Sequence, residues 1–361
     1  MRLSDTRFLL AWLLPFLTLL GLATLPAYAA IFTLSIWWGI ALIDTFVPGA
    51  KTSPGPLQEG VGSAYFSWVL RLFVPLQLAL IAVGAYVAMT ANWWMLVGIA
   101  FSVGFISGSQ GITFAHELGH SKSKLDRFCA WVLMTSVCYG HFMVEHYRGH
   151  HPRAATYDDP ASARYGESLY RFLPRTLSGS LVSGWRLEAQ RLAQMRQSWR
   201  ASPLLWSTVG SVMMVLTGLL VPFMAVASAE YAQAAIKMVA FLLLQSVFAF
   251  LLLEIVNYIE HYGLQRSVEP GKKEAFGMMH AWNADHVVNN SLLANLQRHS
   301  DHHMHAWKPY PSLQPLPGPQ LPTGYAGCIV LALLPPIWFR LMHRRIADLK
   351  GKQPPKSGVP A

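Results

Sequence analysis

Six stretches of roughly 20 mostly apolar residues dominate this chain, at about 8–25, 29–47, 66–89, 93–114, 206–226 and 236–256. A segment of that length is what an α-helix needs to cross a bilayer. Inside the hydrocarbon every backbone N–H and C=O must be paired within the protein, which admits helices or closed barrels. Long, uniformly apolar runs without period-two alternation specify the helical solution. The expected fold class is therefore an all-α integral membrane protein with six transmembrane helices. It is expected to form a single domain over 1–361 rather than the two soluble domains that length alone would suggest. Only 13% of residues are charged, about half the share in a soluble globular domain. That excludes a water-soluble enzyme, a disordered chain and a collagen-like repeat. Arg2 and Arg7 precede the first run, which ends in Ala27-Tyr28-Ala29 and could pass for a signal peptide. It is too long for one and further spans follow, so it reads as an uncleaved helix. Two shorter apolar runs, 129–139 and 328–339, read as re-entrant, interfacial or packed against the bundle.

Charge placement orients the spans. The links at 26–28, 90–92 and 227–235 hold no lysine or arginine, and of the 28 basic residues only Lys237 sits at that edge. Positive charge stays cytoplasmic, so both termini and the long segments 115–205 and 257–361 are expected to face the cytoplasm from a bacterial-type inner membrane. The net charge of +10 is thus a topology signal. No basic patch with its own fold appears, and nucleic acid is not an expected partner. Trp185, Leu192, Met195 and Trp199 share one helical face while Arg186, Arg191, Arg196 and Arg200 spread over the rest. Such a stretch can lie on the cytoplasmic leaflet or pack on another cytoplasmic segment. Segment 309–322 is too proline-rich for regular helix, and the tail 350–361 has the composition of a disordered segment.

Histidine is the second signal. His116-Glu117-Leu118-Gly119-His120 closes the fourth span, and the i, i+4 spacing puts both imidazoles on one face. Taken alone the pentapeptide is also the H-E-x-x-H pattern of zinc metalloproteases. His146-Tyr147-Arg148-Gly149-His150-His151 repeats the i, i+4 pair and adds a neighbour, and His299-Ser300-Asp301-His302-His303 supplies three more. All three clusters fall on one membrane face. Eight imidazoles are too many for one zinc, which takes four ligands at most in structural sites and three protein ligands in catalytic ones. An all-nitrogen site for two redox-capable metals suits iron and dioxygen chemistry, with copper left open by ligand type. A protease would leave the second and third clusters without a purpose. A transporter would place its ligands at mid-membrane, not at one mouth. Where the sixth span emerges, Glu254, Asn257 and His261 form one stripe. His261 reads as a further ligand, with Glu254, Asn257 and Glu260 as candidates for orienting it or its neighbours through the far imidazole nitrogen.

His116-Glu-Leu-Gly-His120, Glu145-His-Tyr-Arg-Gly-His-His151, Leu296-Gln-Arg-His-Ser-Asp-His-His303 and Asn257-Tyr-Ile-Glu-His-Tyr-Gly-Leu264 closely resemble the four signature motifs of the membrane alkane 1-monooxygenases. The resemblance extends to Asp159-Pro-Ala-Ser162, Gly166-Glu-Ser168 and the block 319–339, and covers the chain from about the second helix onward. Histidine boxes alone are shared with membrane desaturases and sterol hydroxylases. The Asn257–Leu264 block separates the hydroxylases, and it is also similar to the xylene monooxygenase hydroxylase component. One departure is Tyr147, where the best-known members carry Asn. The resemblance implies a cytoplasmic-facing, non-haem di-iron centre held by His116, His120, His146, His150, His151, His261, His299, His302 and His303. It also implies insertion of one atom of dioxygen into a terminal C–H bond of a linear alkane, the other leaving as water. A fatty-acyl desaturase or hydroxylase on the same scaffold, or a xylene-type methyl monooxygenase, is the alternative. His141, His280, His286, His305 and His343 lie outside the motifs and read as structural or exposed. Trp37, Trp38, Phe66 and Trp68 are bulky candidates for limiting the length of an apolar substrate drawn from the lipid.

Such a reaction needs two electrons from outside. The chain has no G-x-G-x-x-G fingerprint after a strand, and its three cysteines include no C-x-x-C pair. A separate carrier is therefore expected. The resemblance implies rubredoxin, reduced by an NAD(P)H-dependent rubredoxin reductase. An acidic carrier would suit the surface of Lys122, Lys124, Arg127, Arg186, Arg191, Arg196 and Arg200.

Overall fold

The computed structural model describes residues 3–47, 61–269 and 272–352. Among them, six helices are long and apolar enough to cross a membrane: Asp5–Thr24, Pro26–Phe46, Ala64–Thr90, Trp93–His120, Pro203–Ala225 and Tyr231–His261. The fourth and sixth run past the ends of their apolar stretches. The hydropathy signal stops at the first polar residues, whereas the backbone hydrogen-bond ladder continues through them because their side chains turn into protein. Three short links lie at one end of the bundle, so the fourth and sixth spans deliver their histidine-bearing C-termini to the opposite end.

The fourth span is the axis of the bundle. Two-thirds (67%) of its apolar window is buried, against 17% for the second span and 22% for the fifth. The fifth turns Val212, Met213, Leu216, Leu220 and Phe223 outward, as a lipid-facing helix does. The fourth and sixth pack backbone to backbone. A Cβ on Gly104 or Gly108 would lie 2.5 or 2.6 Å from the carbonyl oxygens of Gln245 and Ala249. Small residues at such a seam let two membrane helices approach closely.

Between the fourth and fifth spans the chain forms a helix Lys124–Ser136 packed on the bundle, which takes up most of the short apolar run 129–139. A helical segment over 142–153 follows, then an irregular strap and the helix Leu169–Gln194. The strap is fastened at Glu167: Arg175 donates to its carboxylate from Nε and Nη2, both at 2.8 Å. Its carbonyl accepts the Tyr258 hydroxyl of the sixth span at 2.8 Å. The amphipathic face expected over 185–200 is not one helix. The chain turns at Arg196, whose φ is 52°, Leu192 is buried, and Trp185 meets Trp199 across the turn at 5.7 Å. Met195 and Trp199 remain exposed.

After the sixth span comes a two-residue hairpin, Val268–Glu269 with Lys272–Lys273, a minor departure from an all-α chain. The proline-rich segment 309–322 holds one 3₁₀ turn, Tyr310–Ser312. The apolar run 328–339 contains a bend of 120° between Tyr325–Ala332 and the helix that follows, so it does not form one straight span. That last helix runs to Lys352, which corrects the expectation of disorder from 350. Residues 353–361 lie outside the described residues.

Candidate metal centre

The nine motif histidines meet at the end of the bundle and sort into two groups. His116, His120, His146, His151 and His302 form one; His150, His261, His299 and His303 form the other. Within each group one ring nitrogen per residue lies within 4.8 Å of all the rest. The groups share a wall: the rings of His151 and His303 are 4.4 Å apart, and those of His146 and His150 are 5.3 Å apart.

Local backbone geometry decides the sorting. His116 and His120 share a face of the fourth span, as their spacing requires. His146 and His150 do not form the expected i, i+4 pair. Residues His146–His150 form a π-helical turn, in which positions five apart align. His146 therefore joins His151, with Nε2 atoms 3.0 Å apart, and His150 is turned into the other group. In the short helix His299–Met304 the i, i+4 pair His299 and His303 goes to the second group while His302 points to the first.

The nitrogens fit a metal better than they fit one another. In the second group the Nε2 atoms run His150–His303 3.2 Å, His303–His299 3.0 Å and His299–His261 3.1 Å. A neutral imidazole nitrogen either donates one hydrogen or offers one lone pair. Four nitrogens in a row can form at most two good N–H···N bonds, so at least one of these contacts is held by no hydrogen bond of its own. In the first group Nε2 of His116, His120 and His302 is buried without a hydrogen-bond partner. Ligands at right angles on bonds of about 2.1 Å sit about 3.0 Å apart, close to the spacings seen. Five nitrogens exceed what tetrahedral zinc takes.

The carboxylates differ from expectation. Glu254 touches no imidazole of either group: it accepts from Tyr139 and Thr176, each at 2.7 Å, and from Asn257 at 3.2 Å. Asn257 is turned to Glu254 in the same way. Of the three expected orienting residues only Glu260 reaches a motif histidine, its Oε1 3.3 Å from His299 Nδ1 and accepting the Tyr325 hydroxyl at 2.5 Å. The stripe on the sixth span is real, but its Glu254 end points between helices. The stronger partner is Asp159, whose Oδ2 accepts from His150 Nδ1 at 2.8 Å and from Ser162 Oγ at 2.6 Å. Burial would push the Asp159 carboxyl up, but His150 and Ser162 outweigh it and hold it near 2. Burial works against a charge on His150, and Asp159 overcomes it, raising its pKa. Asp159 lies in the irregular strap, where no periodicity marks it. Its one sequence signal is its place in the Asp159-Pro-Ala-Ser162 block.

Glu117, the would-be base of a metalloprotease, accepts the Tyr310 N–H at 2.9 Å and faces a second, polar cavity. The five remaining histidines lie outside both groups. His305 bonds Asp301, His343 meets the Tyr262 hydroxyl, and His280 sits 3.6 Å from Glu274. His141 Nε2 and His286 Nδ1 are buried without partners.

Two cavities reach the histidines. The first encloses about 860 Å³ of non-atom space, part of it open to the surface. It is walled chiefly by apolar residues of the first, second, fourth and sixth spans and ends on His116, His146 and His299. Trp37 lines it. Trp38 and Trp68 are half exposed on the bundle surface, and Phe66 packs against Phe8 and Tyr310. The second cavity, about 980 Å³, reaches His120 past Glu117, Lys122, Asp126 and Lys308. Of the basic residues singled out above, Lys122, Lys124, Arg127, Arg186, Arg196 and Arg200 are exposed. Arg191 is half-buried in an ion pair with Glu188 at 2.7 Å.

A buried, histidine-rich centre at the mouth of a membrane helical bundle defines a class of membrane oxidoreductases, and the comparisons agree. The family model for fatty acid desaturases matches residues 91–332. The chain is 38% identical over 330 residues to the alkane 1-monooxygenase of Ectopseudomonas oleovorans, covering 88% of this chain and 78% of that one. It is 36% identical over 318 residues to alkane 1-monooxygenase 2 of Pseudomonas aeruginosa, covering 85% and 81%. The xylene/toluene monooxygenase hydroxylase component of Pseudomonas putida is 27% identical over 253 residues, covering 69% and 64%. The chain belongs to the alkane monooxygenase family, within the wider fatty acid desaturase family, and is an integral, multi-pass membrane monooxygenase.

Proposed function

We propose that this protein hydroxylates the terminal methyl group of linear alkanes to primary alcohols, with dioxygen as co-substrate and electrons from rubredoxin and its NAD(P)H-dependent reductase. The observation that carries the reading is the first cavity, a largely apolar chamber among the spans that ends on both histidine groups. The alkane 1-monooxygenase names of the relatives support the substrate class. We further propose that two irons occupy the groups and that the histidine end of the bundle, with both termini, faces the cytoplasm of an inner membrane. The links at the opposite end, which hold no lysine or arginine, support that orientation.

A saturated chain offers no charge or hydrogen bond to hold, so shape and apolar contact must place it. Leu252, Leu253 and Val256 of the sixth span and Ile112 of the fourth line the chamber close to the histidines. They confine a straight chain, direct its methyl end to His116, His146 and His299, and keep bulk water out. Iron held by the nine imidazoles would supply dioxygen activation and oxygen insertion into a C–H bond. Asp159 holds His150 by a hydrogen bond with its Nε2 turned inward, and Glu260 lies 3.3 Å from His299 Nδ1. The polar cavity gives His120 an aqueous neighbour on the side away from the apolar chamber. There Lys122 offers positive charge to an acidic carrier, while Lys308 is paired with Asp301 at 2.8 Å.

The test is a chain-length series of alkanes, fatty acids and methylbenzenes fed to membranes containing the protein, with reductase and rubredoxin supplied and products identified by mass spectrometry. Terminal alcohols from alkanes are expected. Products confined to unsaturated or hydroxylated acyl chains would replace this reading with a desaturase or acyl hydroxylase. Products confined to methylbenzenes would favour the xylene-type reaction.

A further inference from the structure

Apart from the imidazole nitrogens at its end, one polar side-chain atom among the described residues that line the apolar chamber has nothing to bond. Gln110 is fully buried and lines the cavity. It sits in a second π-helical turn, Ser107–Gly111, inside the fourth span, and such turns recur at functional sites. Its Nε2 donates to the carbonyl of Ala11 at 2.7 Å and lies 3.4 Å from that of Leu292. The Ala11 carbonyl is available because Pro15, four residues on in the first span, has no N–H to give it. This bond fixes the sense of the amide: the NH₂ must face the orphaned carbonyl, so Oε1 is the free atom. It is buried and unpartnered. The hydroxyls of the lining are satisfied within the protein. Ser109 bonds the Phe105 carbonyl, Thr113 bonds the Ser109 carbonyl, and Tyr325 bonds Glu260. Gln77 and Gln245 also leave an amide oxygen unpaired, but neither lines this chamber.

Gln110 precedes His116 by six residues on one helix, which puts it roughly 9 Å from the histidine end along the axis. An alkane leaves that oxygen unpaired, and a buried acceptor without a donor is costly. We propose that the chamber also takes straight-chain primary alcohols tail-first, the hydroxyl donating to Gln110 Oε1 and the methyl directed at the histidines, and converts them to α,ω-diols. The proposal rests on the hydroxylase reading above. The step is the same monooxygenation: the terminal C–H bond and the O–O bond break, and a C–O bond forms. One oxygen atom enters the product, and the other leaves as water with two protons and two electrons from a one-electron carrier protein.

The experiment compares 1-alkanols, alkanes and methyl esters of fatty acids across chain lengths in the complete membrane system. It is run with the wild type and with the double variant Pro15→Ala, Gln110→Leu. The Pro15→Ala change restores a backbone N–H for the Ala11 carbonyl, so the double variant removes the cavity acceptor without orphaning that carbonyl. Equilibrium binding of radiolabelled alcohol and alkane to the same purified proteins gives a readout independent of turnover. We expect α,ω-diol from the wild type, with the alcohol-to-alkane ratio of kcat/KM peaking at one chain length. The esters, which cannot donate a hydrogen bond, should show no such peak. In the double variant the ratios of kcat/KM and of affinity should both fall roughly tenfold, about the worth of one hydrogen bond to an otherwise unpaired acceptor. Equal ratios in the two proteins, an equal gain for esters, or oxidation of the alcohol only at its hydroxyl end would overturn the proposal while leaving alkane hydroxylation intact. Failure of the wild type to hydroxylate any alkane would overturn the underlying reading as well.

Discussion

The two histidine groups draw on the same two polar segments, 146–151 and 299–303, yet they are built on different terms. The five-histidine group takes two histidines from the fourth span, and among the described residues no carboxylate is paired with any of its imidazoles. The four-histidine group takes one histidine from the sixth span, and two of its four rings meet a carboxylate, Asp159 on His150 and Glu260 on His299. A carboxylate on the far nitrogen fixes ring orientation and raises ligand basicity. One group thus relies on the number of its nitrogens and the other on their orientation. The first should tolerate changes around its ligands, and the second should be sensitive to them.

The largest effect should come from the ligands themselves. Alanine at any of the nine histidines is expected to remove metal and turnover while the protein still inserts in the membrane. Elemental analysis of purified protein should fall from two metals per chain toward one for the group affected. Full activity with stoichiometric zinc and no iron would break the assignment of the metal.

A smaller loss should follow Asp159→Asn. His150 would lose the partner that orients it, and metal retention in the four-histidine group should weaken about 10–100-fold. The five-histidine group should keep its metal. A chelator titration monitored by metal content would resolve two steps in the variant, and uniform loss from both groups would erase the distinction drawn here.

Glu260→Gln should do less than Asp159→Asn, because its approach to His299 is longer. Glu254→Gln should not change metal retention at all, since Glu254 bonds Tyr139, Thr176 and Asn257. Its cost should appear in thermal stability, through the buried network that joins the sixth span to its neighbours. Chelator resistance measured beside melting temperature separates these cases. A Glu254→Gln protein that loses metal as readily as Asp159→Asn would reinstate Glu254 as an orienting residue.

The smallest effect concerns the carrier. Neutralising Lys122, Lys124 and Arg127 should lower the rate of reduction by rubredoxin and flatten its salt dependence, because steering between exposed charges is screened within about 3 Å at 1 M salt. Arg191 should behave differently: paired with Glu188, its replacement should lower stability rather than docking. Stopped-flow reduction at increasing salt tests both, and an unchanged salt profile in the triple variant would place the carrier elsewhere.

The six spans and the gathering of these nine histidines at one end of the bundle were legible in the residues. Apolar run length is set by bilayer thickness, and clustered imidazoles in so apolar a chain have few other uses. The sorting of those nine was not legible. His146 and His150 are spaced for one face of an α-helix, and only the π-helical turn, sustained by packing around it, sends them to different groups. Asp159 and Glu254 show the same limit from two sides. Glu254 sits on a helical stripe that aims at His261 by periodicity but is claimed by donors from the chain at Tyr139 and Thr176. Asp159 sits in an aperiodic strap and reaches His150. The free oxygen of Gln110 likewise depends on a proline almost a hundred residues away. Local spacing determines which side chains share a face. What that face meets is a property of chain segments brought together from afar, and the tertiary structure alone decided it.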